Sequence, residues 1–212
     1  MGSALMDLKQ ATNRRKPSQN RSKERVAVIL EAVKALIEEK GIANLKISEI
    51  AKRANSSEGS IYQYFSDKET IILSLAEHFM KKIHVIVDKH IDKLDSLDDL
   101  DMVMSCNFDD IYALHKNESA LRQIWFESVD IKLIHLATVD SEMKADRIYQ
   151  SVLKFATPKD PVQLKQFILL MSIQFSSVIR LCFSSNVGTP EQLKKIYVDT
   201  VVGSITKYID LN

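Results

Sequence analysis

Apolar positions recur along this chain at intervals of three and four residues, and no stretch alternates apolar and polar in the manner of a half-buried strand. The first clear stripe is Val26, Ile29, Leu30, Val33, Leu36 and Ile37, which predicts a helix closed by Gly41 just beyond Lys40. A shorter stripe of Ile47, Ile50, Ala51 and Ala54 predicts a second helix that stops at "NSS". Asn55 tolerates the left-handed backbone of a tight turn, and Ser56 or Ser57 can cap the helix that follows. Residues 47–64 therefore read as helix, short turn, helix. In "SDKE", Ser66 and Glu69 have the spacing of a capping box. They open a fourth helix with a stripe through Ile72, Leu75, Phe79, Ile83 and Ile86. Further helices are expected over 97–116, 119–133, 138–156, 160–186 and 190–210, the last with Thr189 as its cap and Pro190 in its first turn. The fold class is all-α, with about nine helices, no strand and no internal repeat.

Composition agrees with that pattern. The chain has 212 residues, with only 5 Gly and 4 Pro, which disfavours sheets built on tight turns. The two cysteines, Cys106 and Cys182, lie in apolar helical contexts, which suits a reducing cytoplasm better than a disulfide framework. No apolar run is read as approaching the roughly 18 residues of a membrane span, and no membrane partner is expected.

Net charge is +1, unevenly spread. Residues 1–68 carry 13 basic against 8 acidic side chains, and the remainder carries 16 against 20. A basic front points to a polyanionic partner there. Three segments follow: a basic flexible arm over 1–21, a helix-turn-helix segment over 22–68, and a helical segment over 69–212. Arg14, Arg15, Lys16, Arg21, Lys23 and Arg25 precede or open the first helix, as an arm against phosphate or a minor groove would require.

"GSIYQYFSDKET" carries the sharpest signal. On a helical wheel Ile61 and Phe65 share one face, and Gly59 and Gln63 lie opposite. Tyr62 and Tyr64 fall on the flanks. A helix in a major groove needs this layout, with an exposed centre for base edges and flanks for the sugar-phosphate walls. Gly59 costs about 1 kcal/mol relative to alanine inside a helix, a cost that close approach to DNA would justify. Lys68, at the start of the fourth helix, adds a charge for phosphate. The competing reading is that both tyrosines only close a small three-helix core.

Residues 25–73 resemble the DNA-binding domain of TetR-type (TetR/AcrR family) transcriptional regulators. The resemblance rests on "EKGIANL", on "ISEIAKRANSSEGSIYQYFSDKETIIL", and above all on Tyr62, Tyr64, Phe65 and Lys68. It assigns DNA contact to Lys46, Ser57, Glu58, Gly59, Ser60, Tyr62, Gln63, Tyr64 and Lys68. Three departures stand out: Lys46 where the family usually has Thr, Ser56 where it has an apolar residue in the turn, and Glu58 where many members carry Lys. The resemblance implies a homodimer on a palindromic double-stranded operator, with repression relieved by a small molecule. A fold of this kind regulated through a protein partner is the alternative.

In the rear of the chain, "PVQLKQFILLMSIQFSSVIRLCFSS" is apolar on nearly all sides, so it must be covered on more than one. The eighth and ninth helices are expected to form a four-helix interface between two subunits. Met104, Phe108, Tyr112, Trp125, Phe126, Phe155, Phe167, Met171 and Phe175 are the candidate lining of a pocket for an apolar or amphipathic effector. His135 and Arg122 are the candidate polar anchors. No H-E-x-x-H, CxxC or glycine-rich phosphate loop occurs, and the adjacent Asp109 and Asp110 diverge on a helix, so neither enzymatic chemistry, a metal nor a cofactor is expected.

Overall fold

In the computed structural model the described residues are 4–128 and 130–212, with side chains described from Arg21 onward. The basic arm expected over 1–21 therefore lies, Arg21 apart, outside the residues described in full. The chain divides into two compact units, residues 1–75 and 76–212.

The head contains α1 (Ala4–Lys40), a 3-10 turn at Ile42–Asn44, α2 (Ile47–Arg53), α3 (Glu58–Tyr62) and the first residues of α4 (Lys68–Ile91). The stripe predicted for α1 is its buried face: Ile29, Val33 and Ile37 are wholly enclosed, and Ile50, Ile61 and Phe65 are buried in the same unit. Gly41 closes α1 at φ 85°, beyond the reach of most side chains. Asn55 takes the expected left-handed conformation, φ 47°, between α2 and α3.

Ion pairs pin α2 against α1. Arg53 grips both carboxylate oxygens of Glu39 at 2.6 and 2.5 Å, and Lys40 pairs with Glu49. Arg25 is not free for DNA as the arm reading supposes. Its guanidinium donates to the carbonyls of Ala54 and Asn55, both at 3.3 Å, and so caps the end of α2.

Two local expectations are corrected. The cap of α4 is Asp67, not Ser66: Asp67 Oδ1 accepts from the Thr70 backbone at 2.7 Å. Asp67 stands directly before the first helical residue, and Ser66 Oγ donates to its carboxylate instead. The buried edge of α4 uses Ile71 and Val87, with Ile72 and Ile86 only half-buried.

The body continues α4 and adds α5 (Asp99–Asn117), α6 (Ser119–Arg122), a π-helical turn at Gln123–Glu127, α7 (Ile131–Val152), α8 (Pro161–Ser184) and α9 (Pro190–Ile205). The helix expected over 119–133 breaks after the π turn, and α7 starts at 131, not 138, because Asp130 caps it by accepting from Lys132 N at 2.7 Å. Asp160 caps α8, and Thr189 with Gln192 forms the capping box of α9. The absence of strands is also corrected. β1 (Ala156–Pro158) pairs antiparallel with β2 (Ile209–Leu211), with Thr157 opposite Asp210. Three residues are too few to show alternation, and β2 takes the place of the last turn expected for the ninth helix.

α8 packs against α7 and α9. Its Leu164, Phe167 and Ile168 join Val103, Tyr149, Val152, Tyr197 and Val201 in one core. The expectation that no apolar run approaches a membrane span also needs correction. An 18-residue window of α8 has a mean hydropathy of 1.7 and passes on length and composition, tests that a core helix passes too. Scattered Ser and Gln interrupt the run by eye without lowering its average below that of a span. Only 17% of that window is buried within the chain.

Ser56 Oγ is buried with no hydrogen-bond partner among the described residues, at the turn position where the sequence departs from an apolar residue. An orphaned hydroxyl costs about 1 kcal/mol or more. Ser56→Ala is expected to raise unfolding free energy by about 1 kcal/mol in a urea titration, with the slope unchanged. A loss of stability would show that this hydroxyl is not a cost.

Candidate functional sites

The first site is the exposed surface of α3 and its flanking turns. Ser57 caps α3, its Oγ accepting from Ser60 N at 3.1 Å and lying 3.0 Å from Ser60 Oγ. Ile61 and Phe65 are buried, as the wheel requires. Ser57, Glu58, Gly59, Tyr62, Gln63 and Tyr64 are all exposed, and Ser60 is half-buried. Tyr62 and Tyr64 keep 52% and 37% of their surface, so they do not merely close the core.

α3 is shorter than the wheel assumes. It ends at Tyr62, and Tyr64 stands in the following turn. That turn keeps helical bonding, since Tyr64 N and Phe65 N both donate to Ile61 O at 3.0 and 3.1 Å. This is why the helical spacing still sorts buried from exposed. A Cβ on Gly59 would meet only Ser57 Oγ, at 3.9 Å. Nothing inside the head requires glycine there. Lys46 precedes α2, exposed, with no capping bond from its side chain. Lys68 is half-exposed at the first turn of α4.

The second site is a cavity of about 170 Å³ inside the body. Met104, Trp125, Phe126, Phe167, Met171 and Phe175 line it. Phe108, Tyr112 and Phe155 do not. Phe108 is buried, edge-on to Phe175 at 5.9 Å, and Tyr112 stacks on Phe183 at 5.1 Å. Phe155 is drawn to the ribbon, where its carbonyl accepts from Asn212 N. His135 is exposed. Arg122 donates to the carbonyls of His115 and Lys116 and sits over the Phe183 ring, outside the lining. The π turn, which places one more residue in the turn than an α-helix, brings the neighbours Trp125 and Phe126 both to the wall.

The polar lining escaped sequence reasoning. It consists of His90, Asn107, His115, Asp140 and Lys144, among others. Asn107, Ile111 and His115 recur at four-residue intervals on α5, a periodicity that marks one face but not what lies opposite. Asp140 is 5% exposed. It meets His84 Nε2 and, at 2.6 Å, Lys144 Nζ. His90 Nε2 lies 2.8 Å from Asp110, whose carboxyl is held low by Lys89 and then by His90. Tyr197 donates to Met171 O at 2.7 Å, and burial pushes its phenol up. Among the described residues, no three or more His, Cys, Asp or Glu side chains could hold a metal ion together.

A helix-turn-helix head joined to a helical body with an internal apolar cavity defines a class of regulator architecture. Residues 29–75 match the bacterial regulatory proteins of the tetR family. Over 52 residues the chain is 40% identical to an uncharacterized HTH-type transcriptional regulator, YvdT, of Bacillus subtilis, a match that covers 24% of this chain and 27% of that protein. The chain thus aligns with about a quarter of that relative's length. Two solved structures share the fold. RolR in complex with resorcinol has a TM-score of 0.63 at 17% identity, covering 90% of this chain and 93% of that one. FadR from Bacillus subtilis in complex with stearoyl-CoA has a TM-score of 0.60 at 19% identity, covering 84% and 98%. Residues 29–75 thus match the tetR family of bacterial regulatory proteins, and the chain as a whole shares the fold of these solved structures.

Burial lowers the His115 pKa to about 4, so the ring is neutral at physiological pH. Between its ordinary pKa near 6.5 and 4, the unfolded chain binds a proton that the folded chain refuses. Stability is therefore expected to fall as pH drops through that window, by an amount on the order of 3 kcal/mol. Denaturant titrations at pH 7 and pH 4.5 check this: His115→Gln should lose less stability on acidification than wild type. Equal losses would assign the effect to other groups.

Proposed function

We propose that the protein is a sequence-specific, ligand-responsive DNA-binding regulator, acting as a repressor on a palindromic operator. The observation that carries this reading is the exposed, glycine-centred surface of α3, with tyrosines on its flanks and no internal reason for the glycine. Gln63 and Glu58 would face base edges, with Glu58 accepting from a cytosine amino group. Tyr62, Tyr64, Lys46 and Lys68 would contact phosphates. Ser57 and Ser60 would extend those contacts from the helix start.

One such head covers only a half-site, so the reading needs two. Leu170 and Ile173 on α8 and Ile196 on α9 stay exposed, at 52%, 44% and 65%. Gly203, two turns beyond Ile196, has open space where a Cβ would stand. These features support a homodimer through α8 and α9, with a partner helix approaching closely at the glycine. The bound ligands of RolR and FadR support a small-molecule effector for the cavity. The chain passes from head to body within α4, and Ile83, Val87 and His90 of α4 line the cavity. A ligand that favours one position of α4 would shift the heads away from the roughly 34–36 Å spacing of successive major grooves. Preference by a few kcal/mol suffices. A cytoplasmic location follows from this function.

The test is fluorescence anisotropy against duplexes from DNA flanking the gene, over a salt series. Tyr62→Phe is expected to weaken all duplexes alike, and Gln63→Ala to relax discrimination by about 1–3 kcal/mol. Gly59→Ala should leave the fold as stable or more so while operator binding falls at least tenfold. Weak, uniform binding unaffected by any change would favour the protein-partner alternative. For the dimer, Leu170→Glu with Ile196→Glu is expected to raise the dissociation constant at least tenfold in sedimentation equilibrium. An unchanged constant would move the interface elsewhere.

A further inference from the structure

The charged groups in the cavity wall are already matched to one another. Asp140 is paired with Lys144 and bonded to His84, and His90 is bonded to Asp110. Tyr197 spends its hydroxyl on Met171 O. Among the described lining residues, no ionic group is left to neutralise a charged guest. A carboxylate or ammonium entering would have to break the Asp140–Lys144 pair or stay unpaired in an apolar space, and both are costly.

The neutral groups are in the opposite state. Asn107 Oδ1 and Trp125 Nε1 are buried without a hydrogen-bond partner among the described residues, and both residues line the cavity. His115 Nδ1 lies 2.9 Å from Ile111 O. Donation there fixes the tautomer and leaves Nε2 as an acceptor. The wall therefore offers one acceptor on an amide, one on an imidazole, and one indole donor. Buried polar groups without partners are rare and point to something that completes them.

We infer that the effector is an uncharged, largely apolar molecule carrying a hydroxyl-type group, which bonds to the neutral polar set of Asn107, His115 and Trp125. The inference rests on the proposed role of the cavity as an effector site. A hydroxyl both donates and accepts, so it can answer Asn107 in either amide orientation as well as the indole N–H. The rest of the lining, with Ile83, Val103, Phe126 and Phe175, takes the apolar body.

Trp125 is the chain's single tryptophan and borders both this cavity and a neighbouring groove, so an emission change that is lost in Asn107→Leu, a residue of the cavity alone, reports occupancy of this cavity. The experiment titrates the full-length protein with four probes on the same ring: cyclohexylethanol, the cyclohexylacetate anion, cyclohexylethylammonium and propylcyclohexane. Calorimetry gives the affinities, and Trp125 emission compared between wild type and Asn107→Leu gives the location. The alcohol is expected to bind at least about tenfold tighter than the hydrocarbon and at least about a hundredfold tighter than either ion. Asn107→Leu should remove most of the alcohol's advantage over the hydrocarbon while the hydrocarbon still binds, which shows that the cavity remains intact. Tightest binding by either ion overturns the inference, as does an alcohol preference that survives in both Asn107→Leu and His115→Phe. Failure of all four probes to bind overturns it too. Operator anisotropy run alongside separates this from the regulatory reading. If the alcohol fills the cavity and operator binding does not change, ligand-responsive regulation fails while the ligand class stands.

Discussion

The hydrogen bonds from Arg25 to the carbonyls of Ala54 and Asn55 fix the turn on which the head depends. α2 ends there with carbonyls that no later residue of its own can satisfy. The left-handed Asn55 turns the chain out of the helix axis, and Ser57 starts α3 two residues on. Because α3 is a little over one turn long, its direction is set from outside itself. Ile61 and Phe65 supply the grip on the core, and Arg25 holds the turn against α1. The surface of Gly59, Tyr62 and Gln63 is presented by those constraints. Arg53 on Glu39 and Lys40 on Glu49 are solvent-facing pairs, of small energetic weight, that bias the packing of α2 on α1.

The body follows a different logic. Its α7, α8 and α9 are long and each is capped by a side chain, so no single turn governs them. What matters is where the apolar filling is incomplete. A cavity survives because the residues around it are held from behind: Phe108 on Phe175, Tyr112 on Phe183, Tyr197 on Met171 O. His115 is clamped between its bond to Ile111 O and the ring of Phe126, 5.1 Å away and nearly parallel. A neutral imidazole in that position is a preorganised acceptor, since its tautomer and plane are both fixed.

The head was legible in the sequence because its signals are local. A three-four periodicity, an asparagine at the turn and a serine cap each depend on residues within one helical turn, and Ile61, Phe65, Tyr62 and Gln63 fell on the expected sides. Errors there were errors of one residue, as with Asp67 in place of Ser66, or of length, as with Tyr64. The cavity was half legible. Large apolar residues announce burial but not whether they face a void or a neighbour, so Met171 and Phe108 look alike in sequence and part ways in three dimensions. The polar lining was not legible at all. Asp140 meets His84 from 56 residues away, and Arg25 meets the turn from 29 residues away. No periodicity carries such pairings. The ribbon of β1 and β2 was missed for a related reason: each strand is three residues long, and only a partner distant in sequence, Ala156 opposite Leu211, makes it a strand.

α8 joins the two properties of the body. One of its faces lines the cavity through Phe167, Met171 and Phe175, and another carries Leu170 and Ile173 to the surface. A solvated face would place polar residues there, and a core helix would bury both faces within the chain. Burying the outer side chains against a second copy would contribute roughly 25 cal/mol per Å² of apolar surface removed from water, less the cost of association. The same helix would then be held by its partner on one side while a ligand fills the space on the other. In that arrangement the affinity for ligand and the strength of the dimer are coupled through the position of one helix, and the coupling is reciprocal. A substitution on the outer face, such as at Ile173, would alter ligand affinity without touching the cavity.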